Sequence, residues 1–163
     1  MNNKGISGVI ATVLLIALAI IAVSVVWVMV NGLISEKIKE TESCFDIFGK
    51  ASINPQYTCY NSSSKELFFS VNIEDIEIDK LIVSVSNKAG TKSYELEKEL
   101  KEISGLTNYT KGSLVKAPDK NQGITYISTE FDEKPNSISI SLVINGNKCE
   151  VSDKISNIES CFI

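Results

Sequence analysis

Histidine and arginine are both missing from this 163-residue chain, and the double absence narrows its chemistry before any pattern is read. A catalyst built from it has only carboxylates, lysine and serine to work with, and there is no Gly-rich phosphate loop to hold a nucleotide. The four cysteines contain no CxxC pair, so with no imidazole available a zinc site has no ligand set. Every basic residue is lysine, scattered among aspartate and glutamate in a chain of net charge -4. No basic stripe is left to meet a nucleic acid. An enzyme is not expected, and neither is a metal, a cofactor or a nucleic-acid partner.

What the chain does have is a long uncharged run near its beginning. From residue 6 to residue 35 no side chain carries a charge, and the run contains no proline. About 20 apolar residues suffice to cross a bilayer as a helix. Its small polar residues, Ser7, Thr12 and Ser24, can bond back to a carbonyl one turn earlier. The many β-branched residues favour a strand in water, but in lipid only a helix satisfies its own backbone, so a helix is predicted. Its apolar character goes all the way round, which excludes an ordinary surface helix and leaves a membrane span or the core of an assembly. Beyond Gly32, Ile34 and Ile38 mix with Glu36, Lys37, Lys39 and Glu40, so the helix is expected to emerge into water and end near Thr41. That length, roughly 50 Å, exceeds a hydrocarbon core of about 30 Å.

Charge sets the orientation. Lys4 precedes the run and no positive excess follows it, which places the short amino end in the cytoplasm and the remainder outside the cell. Cys44, Cys59, Cys149 and Cys161 all follow the run and are expected as disulfides in an oxidising exterior. Of the three possible pairings, Cys44 with Cys59 and Cys149 with Cys161 close short loops and are preferred. The alternative joins Cys44 to Cys161 and Cys59 to Cys149. Two sequons, at Asn61 and Asn108, are candidate glycosylation sites on an exported surface.

About 120 residues follow the helix, enough for one core. Alternating β-branched runs at 66–71, 81–85, 123–128 and 137–144 read as strands. Asn145-Gly146-Asn147 reads as a hairpin turn into 148–151. The stretch 91–101 fits either a helix or an exposed strand with a loop, and 104–122 reads as a long surface loop. The expected fold class is α+β: a long N-terminal hydrophobic helix followed by a small all-β sandwich, immunoglobulin-like in outline.

The run Lys4-Gly5-Ile6-Ser7-Gly8-Val9-Ile10-Ala11-Thr12-Val13-Leu14-Leu15-Ile16-Ala17 resembles the amino terminus of archaeal type IV pilins, in which a short basic leader ends in Gly or Ala before an ordered hydrophobic pattern. The resemblance covers roughly the first 30 residues, and Gly8 stands where many relatives have proline. It implies a leader, 1–5, cut by a prepilin peptidase between Gly5 and Ile6; a transmembrane and filament-core helix, 6–42; and an extracellular β domain, 43–163. It also implies a membrane-inserted precursor and assembly into a helical homo-oligomer by an ATPase with its membrane platform. Bacterial relatives commonly carry glutamate where this chain has Ile10, so no buried pairing with the mature amine is carried over. Gly8, Ala11, Ala17, Ala19 and Ala22 are expected to allow close helix approach, Leu15 to fill the spaces, and Trp27 to pack in the core after leaving a membrane interface.

The expected function is therefore a structural subunit of a cell-surface filament, for adhesion or surface attachment, with an archaellum-type motility filament sharing the same leader and helix. A single-pass anchored surface domain with a binding role is the competing class. An ordinary secretory signal is disfavoured because the run is too long and no A-x-A site follows. The acidic alternation Glu74, Asp75, Glu77 and Asp79 fits a solvated face or turn better than a calcium site.

Overall fold

A computed structural model of the chain describes residues 4–45, 47 and 49–161, without the side chains of 4–7, 9, 35–43 and 45. Of the expected leader, Met1, Asn2 and Asn3 lie outside the described residues, as do the side-chain surroundings of the Gly5-Ile6 junction. The chain divides into two compact units, Met1–Thr41 and Glu42–Ile163.

One helix, α1 (Lys4–Phe45), accounts for the first unit and begins the second. It runs through Asn31 and Gly32 and continues past the expected end near Thr41. Glu36, Lys37, Lys39 and Glu40 are good helix formers, and the next glycine, Gly49, has φ +79°, a conformation that L side chains rarely adopt.

The second unit is mostly β. Its strands are β1 (Ala51–Asn61), β2 (Glu66–Ile73), β3 (Lys80–Asn87), β4 (Gly90–Glu97), β5 (Lys101–Glu102), β6 (Leu106–Asn108), β7 (Leu114–Val115), β8 (Gln122–Ser128), β9 (Ser137–Ile144), β10 (Asn147–Ser156) and β11 (Glu159–Ser160). They form a five-stranded sheet in the order β11-β1-β2-β8-β6, a four-stranded sheet in the order β10-β9-β3-β4, and the small pair β5-β7. Pairing is antiparallel except between β1 and β11.

Period-two alternation builds the core. Leu142, Leu81 and Leu96 stand side by side across β9, β3 and β4, and Ile140, Val83 and Tyr94 form the next row. In the five-stranded sheet Phe69 opposes Tyr126, their ring centroids 5.3 Å apart. Side chains of both sheets belong to one buried apolar cluster. Inside it the Tyr94 and Ser128 hydroxyls bond at 2.7 Å, so a polar contact joins strands of the two sheets where an unpaired hydroxyl costs about 1–3 kcal/mol.

The expected strands at 66–71, 81–85, 123–128 and 137–144 lie within β2, β3, β8 and β9. Asn145 and Gly146, with φ of 52° and 77°, make the β9–β10 turn as a two-residue hairpin requires. Residues 90–97 are strand, so the helical option for 91–101 falls. The loop expected at 104–122 is a correction: it holds β6 and β7, and Leu106, Val115 and Ala117 are buried. Its Gly, Asn and Lys mark the turns between these short strands, Gly105 among them at φ +71° with the Glu130 side chain where a Cβ would be.

The preferred disulfide pairing is also corrected. The bonds are Cys44–Cys149 and Cys59–Cys161, with Cα atoms 5.5 and 5.0 Å apart, a pairing that neither sequence alternative contained. The cause is β1, a strand whose alternation is interrupted at Pro55 and which therefore carries no continuous period-two signal. Extended chain from Ala51 to Cys59 covers up to about 26 Å, which carries Cys59 away from Cys44. Cys161 instead arrives beside Cys59 because β11 pairs with β1 at Cys59↔Glu159 and Tyr60↔Ser160, and the Cys161 N–H donates to the Tyr60 carbonyl at 3.0 Å. The bonds span 105 and 102 residues and interleave. Either alone constrains the unfolded chain by about 4.7 kcal/mol on the chain-entropy argument, and the two do not add because each shortens the other's loop. Non-reducing peptide mapping is expected to give one linked peptide with Cys44 and Cys149 and another with Cys59 and Cys161; a Cys44–Cys59 peptide contradicts the fold.

Candidate functional site: the apolar helix and its flanking sites

Within α1 the segment Ile10–Ile34, 25 residues, is long and apolar enough to cross a membrane, and none of it is buried by the rest of the chain. At 1.5 Å per residue it measures about 37 Å, somewhat more than a hydrocarbon core of about 30 Å. Its backbone is satisfied by helical bonds. The Ser24 hydroxyl donates to the Ile20 carbonyl at 2.7 Å, which leaves its donor satisfied where water is absent.

At 100° per residue, Gly8, Ala11, Leu15, Ala19 and Ala22 fall within an arc of about 80°. Ala17 stands on the opposite side. No atom lies within 4 Å of where a Gly8 Cβ would be, and Leu15 and Trp27 are exposed to 67% and 66%. The residues expected to pack helices together thus share one side except for Ala17 and Trp27, and large apolar side chains cover the rest of the circumference.

The sequons differ in their surroundings. Asn61 ends β1, and its Oδ1 accepts the Ser63 N–H at 2.9 Å and the Ser64 N–H at 3.3 Å. Asn108 is woven into its loop: Oδ1 accepts from the Thr110 hydroxyl at 2.7 Å and the Gly112 N–H at 2.8 Å, and Nδ2 donates to the Leu114 carbonyl at 3.4 Å. A glycan on Asn108 would take one of the two Nδ2 hydrogens and leave the other to donate.

The acidic alternation is dispersed among separate partners. Glu74 meets Lys50 at 3.7 Å, Asp75 meets Lys120 at 2.7 Å and Glu77 meets Lys98 at 2.6 Å. Asp79 accepts the Gly146 N–H at 2.9 Å, tying the β2–β3 connection to the β9–β10 turn. Among the described residues no three metal-ligating side chains converge. The hydrogen bond from Lys120, and then its charge, hold the Asp75 carboxyl below its ordinary value.

Because the folded value is lowered, the contribution of Asp75 is complete above the ordinary carboxylate range and disappears as pH falls through the lowered value. The pair is solvent-exposed, so the effect is small. Asp75→Asn should lower the neutral plateau of the thermal stability profile slightly and so flatten its acid limb, the variant and parent profiles converging at low pH, and millimolar calcium should not move the unfolding temperature of the parent protein. Comparison with family models, with curated proteins and with solved structures finds no match for this chain.

Proposed function

We propose that the chain is a structural subunit of an extracellular filament of the archaeal type IV pilus class, serving adhesion or surface attachment. The observation that carries this reading is the Ile10–Ile34 segment, apolar on every side and covered by nothing in its own chain. In the membrane such a helix is solvated by lipid. Once an ATP-driven platform lifts it out, its surface can be hidden only against equivalent helices, and burial of about 1,500 Å² favours association by tens of kcal/mol before entropy and strain are subtracted. The Lys4-Gly5-Ile6 junction supplies the prepilin-peptidase site that this route needs, and the described disulfides suit a head exposed to an oxidising exterior.

The head is proposed to be a β-sandwich, immunoglobulin-like in outline. Two mainly antiparallel sheets share one apolar cluster, and the chain passes from one sheet to the other after β2, after β4 by way of β5, after β8 and after β10. A permanently anchored single-pass surface domain is the second reading. It is favoured by the length of the span, which a modest tilt fits to one bilayer.

Two experiments separate these readings. Mass spectrometry of surface-purified protein should find Ile6 as the mature amino terminus, and Gly5→Val should leave full-length precursor in the membrane with no filaments; a mature chain starting at Met1 favours the anchor. Ala17→Lys should leave processing intact but abolish filaments in sheared preparations viewed by electron microscopy, since a lone charge in the packed core costs on the order of 3–5 kcal/mol per subunit. Normal filaments from that variant mean the helix is not packed all round.

A further inference from the structure

The outer face of the five-stranded sheet is unlike an ordinary solvated sheet face. Register places Glu159, Cys59, Phe68, Ile127 and Thr107 in one row across β11, β1, β2, β8 and β6, and Ser70 with Thr125 in the next. The opposite face carries Tyr60, Leu67 and Phe69 into the core. Phe68 and Ile127 are therefore a second apolar layer on the outward side. Over it, β1 departs from its ladder: Asn54 pairs with Ser70 and Cys59 with Phe68, so residues 55–58 face a single residue of β2. Such a bulge re-aims side chains and is where a strand tolerates proline.

This bulge is held in shape. Asn54 Oδ1 accepts the Gln56 N–H at 3.0 Å, and its carbonyl accepts the Thr58 hydroxyl at 2.7 Å. The Cys59–Cys161 bond fixes the adjoining β11 segment. The result is an open groove of about 740 Å³ lined by Tyr57 of the bulge, Tyr109 just past β6, Phe68 on the sheet, and the polar side chains of Gln56, Thr125 and Glu159. Tyr57 and Tyr109 are 62% and 67% exposed, large aromatic rings left in water beside an apolar floor.

We propose that this groove binds neutral saccharides. A pyranose presents an apolar C–H face, which an exposed tyrosine ring can cover, and an edge of vicinal hydroxyls, which need paired donors and acceptors. Gln56 offers both, the Tyr57, Tyr109 and Thr125 hydroxyls offer both, and the Glu159 carboxylate accepts from two adjacent hydroxyls. Among the described residues one carboxylate and no lysine line the groove, which disfavours phosphate, uronate and sialate groups. The preset bulge and the disulfide reduce the ordering cost of binding. The proposal concerns the β unit alone and stands whether or not the chain forms a filament.

The test uses the full chain in a zwitterionic, sugar-free detergent, applied to an array of neutral and acidic oligosaccharides, with calorimetric titration of the strongest neutral binder. Binding to neutral members is expected, weakened about tenfold or more by Tyr57→Ala and by Tyr109→Ala and retained by Tyr57→Phe. Both tyrosines are exposed, so the unfolding temperature should not change. No binding to any neutral oligosaccharide, preference for acidic ones, stronger binding of a poly-L-proline peptide, or affinity unmoved by both alanine variants would each overturn the proposal.

Discussion

An apolar helix that its own chain does not cover is the constraint on which the rest depends. A globular domain hides its hydrophobic surface by folding, yet none of Ile10–Ile34 is hidden here. In the proposed function its cover comes from lipid and then from other chains. The hydrophobic effect has no direction and scales with area, so one apolar surface suits both environments, and the proposed transfer from one to the other needs no refolding of the helix. The chain thereby separates two tasks: the helix unit meets an apolar environment and the β unit forms an ordinary core of its own.

That second core is modest in size and is reinforced covalently. Two interleaved disulfides tie the end of α1 to β10 and β1 to the carboxyl-terminal segment, so the first and last segments of the β unit are both fixed. The Tyr94–Ser128 bond inside the apolar cluster adds direction where packing alone gives none. Exposed ion pairs such as Lys65–Asp132 and Lys120–Asp75 contribute little by comparison.

The bulge in β1 connects these themes. By lifting residues 55–58 away from β2 it gives up ladder bonds, and the loss is partly compensated by the two bonds to Asn54. It also brings Tyr57 out beside Phe68 and Tyr109. A departure from regular pairing beside a disulfide is where a β domain can present side chains that a flat sheet cannot.

The apolar helix, the strands with clean alternation and the Asn145-Gly146 turn were legible in the residues, because hydrophobic period and turn chemistry are local properties. So was the oxidised state expected of the cysteines, since their number and placement need no fold. Their pairing was not legible: it follows from β11 lying parallel to β1, a contact between residues about a hundred positions apart. Strand β1 was missed because its bulge breaks the period-two pattern at Pro55, and 104–122 read as loop because β6 and β7 are too short to show a period at all. The groove has no sequence signature, since Tyr57, Phe68, Tyr109 and Glu159 meet only through sheet register. Local patterning fixes which segments are apolar and how they repeat; which segments become neighbours is decided by burial across the whole β unit, and only the tertiary structure records that.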